Sequence, residues 1–418
     1  MSDTLHVFTC ASVNYLPKVR LLCRSIRRQH PEAQIHLVLA DNRPEWLVPG
    51  AEPFDSVLEI STLGIPNWRA WTFMHSIVEL STAIKPFALK HLLSRLDCGK
   101  VLYFDPDMVL FSRVDDILAT LTSANVALTP HQNKPETTLE AVLDNELASL
   151  KHGVFNLGFV GVRNSPEGHR FAEWWSERTY HLCRAEVERG LFTDQKWVNL
   201  APVFFDGVVI LKSSRHNVAT WNLTTRRLEG DFEHGFRVDG EPLGFYHFTG
   251  FDSGAHRIMA VKNAAASTAV QLLLRWYDRE TTAASDDAIA RWSWAFGRFS
   301  DGTPIEPAHR WLYRDHADLQ AAFPDPYRAE EGRPTFLDWC RTEGRLRYPE
   351  FFDGRGSGGA RRAPPLRSRV ALPAALRLGS LMLAPHGGKL LRARLRQTLR
   401  TEGVAGVLRR LQRPARPK

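Results

Sequence analysis

The sequence predicts an α/β protein built on a parallel β-sheet, and three stretches carry that prediction. Apolar runs at 5–9 and 34–40 flank an amphipathic segment at 16–30, so a strand, a helix and a strand follow one another as a βαβ unit. A third run, 101–104, is apolar throughout, which is typical of a strand buried on both faces. It leads directly into Asp105-Pro106-Asp107. Because ligands bind beyond the carboxyl ends of parallel strands, we expect the functional site at this edge of the sheet.

The other elements follow from apolar periodicity and from the glycines and prolines that interrupt it. Pro86 is compatible with a helix at 81–96 because it lies near the first turn. The pattern further predicts strands at 125–129, 154–162, 203–211 and 244–248, and helices at 137–150 and 167–183. From 252 to about 349 the chain is helical in pattern and rich in tryptophan. We therefore expect an α/β domain at 1–255, a helical aromatic-rich extension packed on it at 256–350, and a linker with a basic tail at 351–418.

Composition excludes several classes of protein. Hydrophobic residues make up 44% and charged residues 24% of the chain, which are ordinary values for a globular protein and exclude a disordered one. The five cysteines are scattered without a C-x-x-C pair, which argues against a disulfide framework or a zinc site and suits a reducing compartment. The N-terminus has neither a basic region nor a long apolar core, and no stretch reaches the roughly 20 apolar residues of a membrane span. We therefore expect a cytoplasmic protein.

The net charge of +8 comes from the C-terminal tail. Residues 355–418 contain 16 Lys or Arg and one acidic residue, a net +15, which leaves −7 for the rest of the chain. Leu391, Leu395, Leu399 and Leu408 recur among these arginines at roughly helical spacing. A basic amphipathic helix can lie on an anionic membrane surface, so the tail could place the protein peripherally at the inner face of a membrane. The alternative is a solvated tail that touches nucleic acid only nonspecifically.

Asp105 and Asp107 are candidate metal ligands. Two carboxylates one residue apart at a strand end repel each other unless a cation lies between them, and a divalent ion that carries phosphate oxygens serves that purpose. The alternative is that one caps the following turn and the other is solvated. His247, in Tyr246-His247-Phe248-Thr249-Gly250 at the end of a late strand, could complete the coordination of a Mn²⁺-like ion, or could be an ordinary hydrogen-bonded histidine.

Polar residues in the second half of the domain are candidates for contacts with a sugar. Asn156 offers both a donor and an acceptor to hydroxyl groups, and Gly158 indicates a bulge or a close backbone approach, unless the segment is a simple turn. Asp194 and Gln195 lie at a predicted helix start, where Thr193 or Asp194 could instead be only an N-cap.

Two further groups lie nearer the N-terminus. Ser12, Asn14 and Tyr15 follow the first strand, where a base and ribose could be held by amides against an aromatic wall, although a plain βα turn explains them equally well. Lys85 could meet a diphosphate at the same sheet edge, although a lysine is more often solvated.

Taken in order, these motifs resemble the GT-A glycosyltransferases, with a Rossmann-like nucleotide-sugar fold, over about residues 5–252. The likeness is to the retaining family of glycogenin and the bacterial lipooligosaccharide galactosyltransferases. It implies that Asp105, Asp107 and His247 bind Mn²⁺ or Mg²⁺ on a nucleotide-diphosphate sugar. It places the nucleoside beside Asn14 and Tyr15, the donor sugar at Asn156, and the sugar or the glycan or lipid-linked acceptor at Asp194 and Gln195.

Two departures from the family pattern bear on the donor. The Lys-Pro-Trp that commonly follows His-x-x-Gly is replaced by Phe251-Asp252-Ser253, so another cation, Lys85 or Arg257, must meet the diphosphate. Ser12 stands where an Asp is often found near the base, so a uracil donor is not implied.

The stereochemical outcome depends on which group takes the acceptor proton. Retention needs no strong base, and Gln195 or Asn156 would then stabilise an oxocarbenium-like centre. Inversion needs a carboxylate base, for which Asp194 is the candidate. We expect retention.

Two other functions fit parts of the pattern. Asp105-Pro106-Asp107-Met108-Val109 matches the D-x-D-x-[VT] signature of haloacid-dehalogenase-type phosphatases, although two predicted strands precede it here and the motif usually lies on the first. A non-catalytic scaffold of glycosyltransferase type is the other alternative, and the presence of all three candidate metal ligands argues against it.

Overall fold

A computed structural model describes residues 4–95, 97–330, 332 and 334–352 of the chain. The predicted basic tail lies outside the described residues from residue 353 onward. The strands are β1 (Thr4–Ala11), β2 (Gln34–Leu39), β3 (Ser56–Glu59), β4 (Cys98–Phe104), β5 (Met108–Leu110), β6 (Val126–Pro130), β7 (Phe155–Arg163), β8 (Val208–Ile210), β9 (Leu228–Asp231), β10 (Gly235–Val238), β11 (Glu241–Pro242) and β12 (Phe245–His247).

The helices surround the sheet and fill the C-terminal third of the described chain. They are α1 (Leu16–Gln29), α2 (Trp68–Phe73), α3 (Ile77–Ala83), α4 (Lys85–Leu93), α5 (Asp115–Thr120), α6 (Leu139–Ala141), α7 (Leu147–His152), α8 (Pro166–Leu182), α9 (Ala201–Phe204), α10 (Ala255–Ala264), α11 (Thr268–Ala283), α12 (Asp287–Arg291), α13 (Pro307–Asp315), α14 (Ala317–Ala322), α15 (Phe336–Trp339), α16 (Arg345–Arg347) and α17 (Pro349–Phe352). Among all the residues that the structure describes, no helix is long and apolar enough to cross a bilayer.

The central sheet is mixed rather than purely parallel. Its strand order is β3-β2-β1-β4-β7-β6-β8, and β7 runs antiparallel to both β4 and β6 while the other neighbouring pairs are parallel. The predicted α/β class with a helical C-terminal part is confirmed. The sheet is mostly parallel, as predicted, and the exception is β7, because the run at 154–162 forms one continuous strand that returns between β4 and β6.

Both faces of the sheet are buried, which explains the uninterrupted apolar runs in the sequence. In β4, Val101 and Tyr103 pack into one core cluster, while Leu102 and Phe104 pack into the cluster on the opposite face. The C-terminal helices contribute to the first of these cores. Phe73 contacts Phe299, Tyr313, Tyr327 and Phe336 with ring centroids 5.0–5.8 Å apart.

Two predicted elements differ from the structure in ways that affect the site. The segment predicted as one helix at 81–96 is two helices, since Ser76 and Glu79 form a capping box that starts α3 earlier and Pro86 starts α4 anew. The predicted strand at 203–211 is reduced to Val208–Ile210, because 201–204 form the helix α9. The break before α4 places Lys85 in the first helical turn, where its side chain is buried beneath the sheet edge.

Candidate metal and nucleotide-sugar site

The candidate metal ligands meet at the carboxyl end of β4. Asp105 and Asp107 lie in the turn between β4 and β5, and β12 pairs antiparallel with β5 so that His247 lies opposite Met108. His247 Nε2 is 3.0 Å from Asp107 Oδ1 and 3.8 Å from Asp105 Oδ2. One ligand atom from each of the three side chains falls within 4.8 Å of the others. Strand pairing therefore brings together residues 140 positions apart in the chain.

Two observations show that this cluster suits a cation. Neither ring nitrogen of His247 has a hydrogen-bond partner of good geometry within the protein, although the side chain is buried. Burial disfavours the charge on Asp107, but His247 and Lys18 outweigh it, so the pKa of this carboxyl is lowered. Asp107 is thus a carboxylate at neutral pH. Two carboxylates and one imidazole are a donor set that fits Mn²⁺ or Mg²⁺.

Gly158, on β7, makes room for this cluster. A Cβ atom at this position would lie 2.5 Å from Met108 Cε, 2.7 Å from His247 Cε1 and 2.8 Å from Asn156 Oδ1. Its carbonyl oxygen also accepts the backbone N–H of Asp105 at 2.7 Å. The glycine in the sequence pattern therefore marks a close approach between β7 and the metal-ligand candidates.

Lys85 lies between two carboxylates, one of which belongs to the metal-ligand candidate Asp105. Its Nζ is 3.2 Å from Asp105 Oδ1 and 3.3 Å from Asp194 Oδ2, and it donates to the Leu157 carbonyl oxygen at 3.0 Å. Burial lowers the pKa of the ammonium group, but Asp105 and Asp194 outweigh burial, so its pKa is raised. Tyr103 donates its hydroxyl hydrogen to Asp105 Oδ1 at 2.5 Å. Lys85 and Tyr103 together fix the position of the Asp105 carboxylate.

Asp194 and Gln195 are both enclosed by protein. Asp194 is 1% exposed, and burial raises the pKa of its carboxyl although Lys85 partly offsets this. Gln195 accepts the Leu157 N–H at 3.0 Å and donates to the His152 carbonyl oxygen at 3.1 Å. Neither residue is an N-cap by its side chain. Thr193 adopts φ +47°, which is rare for a β-branched residue and indicates backbone strain beside Asp194.

Asn156 belongs to a polar network that sequence reasoning missed. Its Oδ1 accepts from Gly158 N and from Asn217 Nδ2, each at 3.2 Å, and its Nδ2 lies 3.2 Å from His131 Nε2. Trp221 stands edge-on to His247, with ring centroids 5.4 Å apart, and also contacts His131. Several atoms around this network have no protein partner: His131 Nδ1, Asn217 Oδ1 and Trp221 Nε1. These residues come from the loop after β6 and from 217–221, where the sequence shows no distinctive motif.

The end of β1 carries the predicted nucleoside residues. Ser12 is buried and donates to Asn14 Oδ1 at 2.5 Å, while Asn14 itself is exposed. Tyr15 donates its hydroxyl hydrogen to Asp252 Oδ2 at 3.1 Å. Lys18, in the first turn of α1, is buried and forms an ion pair with the same oxygen of Asp252.

A carboxylate beside this end of β1 ties the C-terminal helices to the site edge. Asp41, two residues after the end of β2, accepts from Trp292 Nε1 at 3.0 Å and from the backbone N–H groups of Ala295 and Asn42 at 2.9 Å each. Burial nevertheless raises the pKa of Asp41. Asp41 Oδ2 also accepts from the backbone N–H of Val13 at 3.4 Å, so it connects segment 292–295 to the turn that follows β1.

Comparisons with known proteins give two relatives of unassigned function. No family model matches the chain. The uncharacterized protein YfnD of Bacillus subtilis (strain 168) is 27% identical over 254 residues, which are 60% of this chain and 78% of YfnD. YfnF of the same organism is 24% identical over 176 residues, 41% of this chain and only 57% of its own length.

Solved structures similar to this chain are glycosyltransferases. The galactosyltransferase LgtC, in complex with donor and acceptor sugar analogues, has a TM-score of 0.40 and 18% identity, and the match covers 67% of this chain and 96% of LgtC. Mouse xyloside xylosyltransferase 1 has a TM-score of 0.36 and 14% identity over 59% of this chain and 98% of its own. The solved structures thus share the GT-A likeness that the sequence motifs indicate, as a likeness of fold. Evidence on the function comes from the residues of the site.

Proposed function

We propose that this protein is a metal-dependent glycosyltransferase that moves a sugar from a nucleotide-diphosphate sugar to a glycan or lipid-linked acceptor. The observation that carries the proposal is the meeting of Asp105, Asp107 and His247 at the carboxyl edge of the sheet. Their donor atoms suit Mn²⁺ or Mg²⁺, the imidazole nitrogens have no competing hydrogen bond, and Gly158 leaves the space that His247 needs. When bound, such an ion would neutralise negative charge that develops on the diphosphate leaving group.

The protein residues around the ion would bind and orient the donor. Asn14 and Tyr15 lie at the end of β1, where a nucleoside could be held, with Ser12 behind them. The ammonium group of Lys85 offsets the negative charges of Asp105 and Asp194. The site can therefore hold these two carboxylates together with that of Asp107 without excessive repulsion. Asn156 and Gly158 lie beside His247, which makes them the candidates for contact with the donor sugar.

The surroundings of Asp194 support a reaction with retention. A base for inversion must reach the acceptor hydroxyl, whereas Asp194 is enclosed and paired with the buried ammonium of Lys85. In a retaining reaction no such base is needed. Asn156, whose amide oxygen is held by hydrogen bonds from Gly158 N and Asn217 Nδ2, then stabilises the positive sugar centre through its amide dipole. Gln195, whose amide is hydrogen-bonded to β7 and to His152, holds Asn156's strand in place.

The test is nucleotide-sugar binding measured by thermal shift with and without Mn²⁺. We expect one nucleotide sugar to raise the melting temperature only when metal is present, and we expect Asp107→Asn to abolish this effect. Asp115→Asn is the matched control, because Asp115 is an exposed carboxylate on α5 that pairs with Arg113 away from the site. Absence of any metal-dependent shift with the wild-type protein across the common nucleotide sugars would contradict the proposal.

A phosphatase assay of the same protein, with Asp105→Asn as the variant, separates the two alternatives. Hydrolysis of small phosphate esters that is lost in Asp105→Asn would identify a phosphatase of the haloacid-dehalogenase type. A protein that neither binds nucleotide sugars nor hydrolyses phosphate esters would be a non-catalytic scaffold. A cytoplasmic location with attachment of the basic tail to an anionic membrane stays a proposal, testable by co-sedimentation with anionic vesicles before and after removal of residues 355–418.

A further inference from the structure

Lys18 is a buried cation at a position that normally disfavours one. It lies in the first turn of α1, where the helix dipole favours negative rather than positive side chains. The residue is nevertheless 8% exposed, and its ammonium group lies 4.2 Å from the centroid of the Tyr15 ring. A lysine placed against both burial and the helix dipole indicates that an anion compensates for it.

The anion in this structure is the carboxylate of Asp252. Lys18 Nζ and the Tyr15 hydroxyl both contact the same oxygen atom, Asp252 Oδ2. The Asp252 side chain is 58% exposed and lies in the turn that follows His247, where Gly250 has φ +70°. An ammonium and a hydroxyl that converge on one oxygen are the donors that a phosphate group binds.

The other cations considered for the diphosphate are less suited to this role. Lys85 is 2% exposed and already contacts two carboxylates and a carbonyl oxygen. Arg257 lies exposed on α10. Lys18, by contrast, has an exposed partner that a ligand can displace, and it acts electrostatically on Asp107 at the metal-ligand cluster.

We propose that Lys18 and Tyr15 form an anion clamp that binds a phosphate group of the donor diphosphate, and that Asp252 occupies this clamp until the nucleotide displaces it. The carboxylate oxygen of Asp252 stands in for a phosphate oxygen. The inference rests on the proposed function and adds to it a phosphate-binding residue and an internal competitor. If the ion pair were merely structural, loss of either partner would change nucleotide affinity in the same direction. The clamp predicts opposite effects, with weaker binding after loss of Lys18 and tighter binding after loss of Asp252.

The experiment compares Lys18→Met and Asp252→Asn by calorimetric titration in the presence of Mn²⁺. The probes are UDP, GDP, inorganic pyrophosphate, and the phosphate-free nucleosides uridine and guanosine. Lys18→Met removes a charged contact, so we expect diphosphate and pyrophosphate to bind about tenfold more weakly or worse. Asp252→Asn removes the competitor, so we expect the same probes to bind about two- to fivefold more tightly, which is the range for release of an ion pair whose carboxylate is exposed to solvent. Nucleoside affinity should not change in either variant.

The control is Lys90→Met, which removes a lysine that forms a similar ion pair with Glu173 at 2.5 Å between α4 and α8. If Lys18→Met does not fold, Tyr15→Phe removes the other donor of the clamp and Asp252→Asn still tests the sign. Weaker diphosphate binding in Asp252→Asn, or unchanged binding in Lys18→Met, would overturn the clamp while leaving the glycosyltransferase proposal intact. Pyrophosphate binding that depends on Lys18, without binding of any nucleotide, would retain the clamp and refute the proposed donor. Failure of every probe to bind the wild-type protein would refute both.

Discussion

Replacement of Gly158 by alanine tests whether the metal site depends on the close approach of β7 to His247. The added methyl group would lie 2.5–2.8 Å from Met108, His247 and Asn156, closer than non-bonded carbon and oxygen atoms approach. The end of the Met108 side chain can move aside, but His247 is only 2% exposed and has little space to move. We expect an overpacking cost of about 1–3 kcal/mol in the free energy of unfolding.

The larger effect should be on metal binding. Displacement of a ligand by a neighbouring group typically weakens metal affinity by about 10–100-fold. Mn²⁺ affinity can be measured by electron paramagnetic resonance of the free ion, and stability by urea unfolding of the same samples.

Gly161→Ala is a matched control on the same strand. Its added methyl group would lie 3.0 Å from Leu102 and Leu121, on the opposite face of β7 from Gly158. We expect a modest loss of stability and unchanged Mn²⁺ affinity. Equal Mn²⁺ affinity in folded Gly158→Ala and in the wild type would refute the reasoning, as would an equal loss in both glycine variants.

Three further predictions concern buried titratable groups, each measured by urea unfolding across pH. Lys85→Met strands the Asp194 carboxylate, so it should destabilise the protein by about 3–5 kcal/mol at neutral pH. Burial already raises the pKa of Asp194, so the folded variant takes up a proton at a higher pH than the unfolded chain does. The loss of stability in Lys85→Met should therefore shrink as pH falls toward about 4. An equal loss of stability at pH 5 and pH 8 would contradict this. The double variant Lys85→Met, Asp194→Asn should recover part of the lost stability at pH 8, and no recovery would show that Lys85 acts mainly through Asp105. Burial, together with His6, lowers the pKa of His36 to about 3. Wild-type stability should therefore fall as pH drops from about 6.5 toward 3, by at most about 1.4 kcal/mol per pH unit, and His36→Asn should flatten this slope.

The parts of the fold that the sequence could predict are those set by local pattern. The predicted ends of β1, β2, β4 and α1 lie within three residues of the observed ends. Burial on both faces of a strand, or on one stripe of a helix, directly determines the spacing of apolar residues in the sequence. The turn with Asp105 and Asp107 follows from the same pattern. The direction of β7 could not be predicted, since strand polarity depends on which neighbours it pairs with and not on its own residues.

The candidate site shows the same division. His247 was identified from its position at the end of a predicted strand, but its place beside Asp107 depends on the pairing of β12 with β5. Lys18 was not singled out from the sequence, because its partner Asp252 lies more than 200 positions later in the chain. Trp221 and His131 likewise lie on loops without periodicity, where no local signal indicates contact with His247.

The packing of Phe73 against aromatic rings of the C-terminal segment 299–336 has a consequence for synthesis on the ribosome. Its partners Phe299, Tyr313, Tyr327 and Phe336 follow it in the chain by roughly 230–260 residues. At about 5–20 residues per second, this side of the sheet waits on the order of 10–50 s for the groups that cover it. During that interval the nascent chain presents an uncovered aromatic surface. Folding of this protein in the cell should therefore depend on chaperones that hold such surfaces until translation is nearly complete.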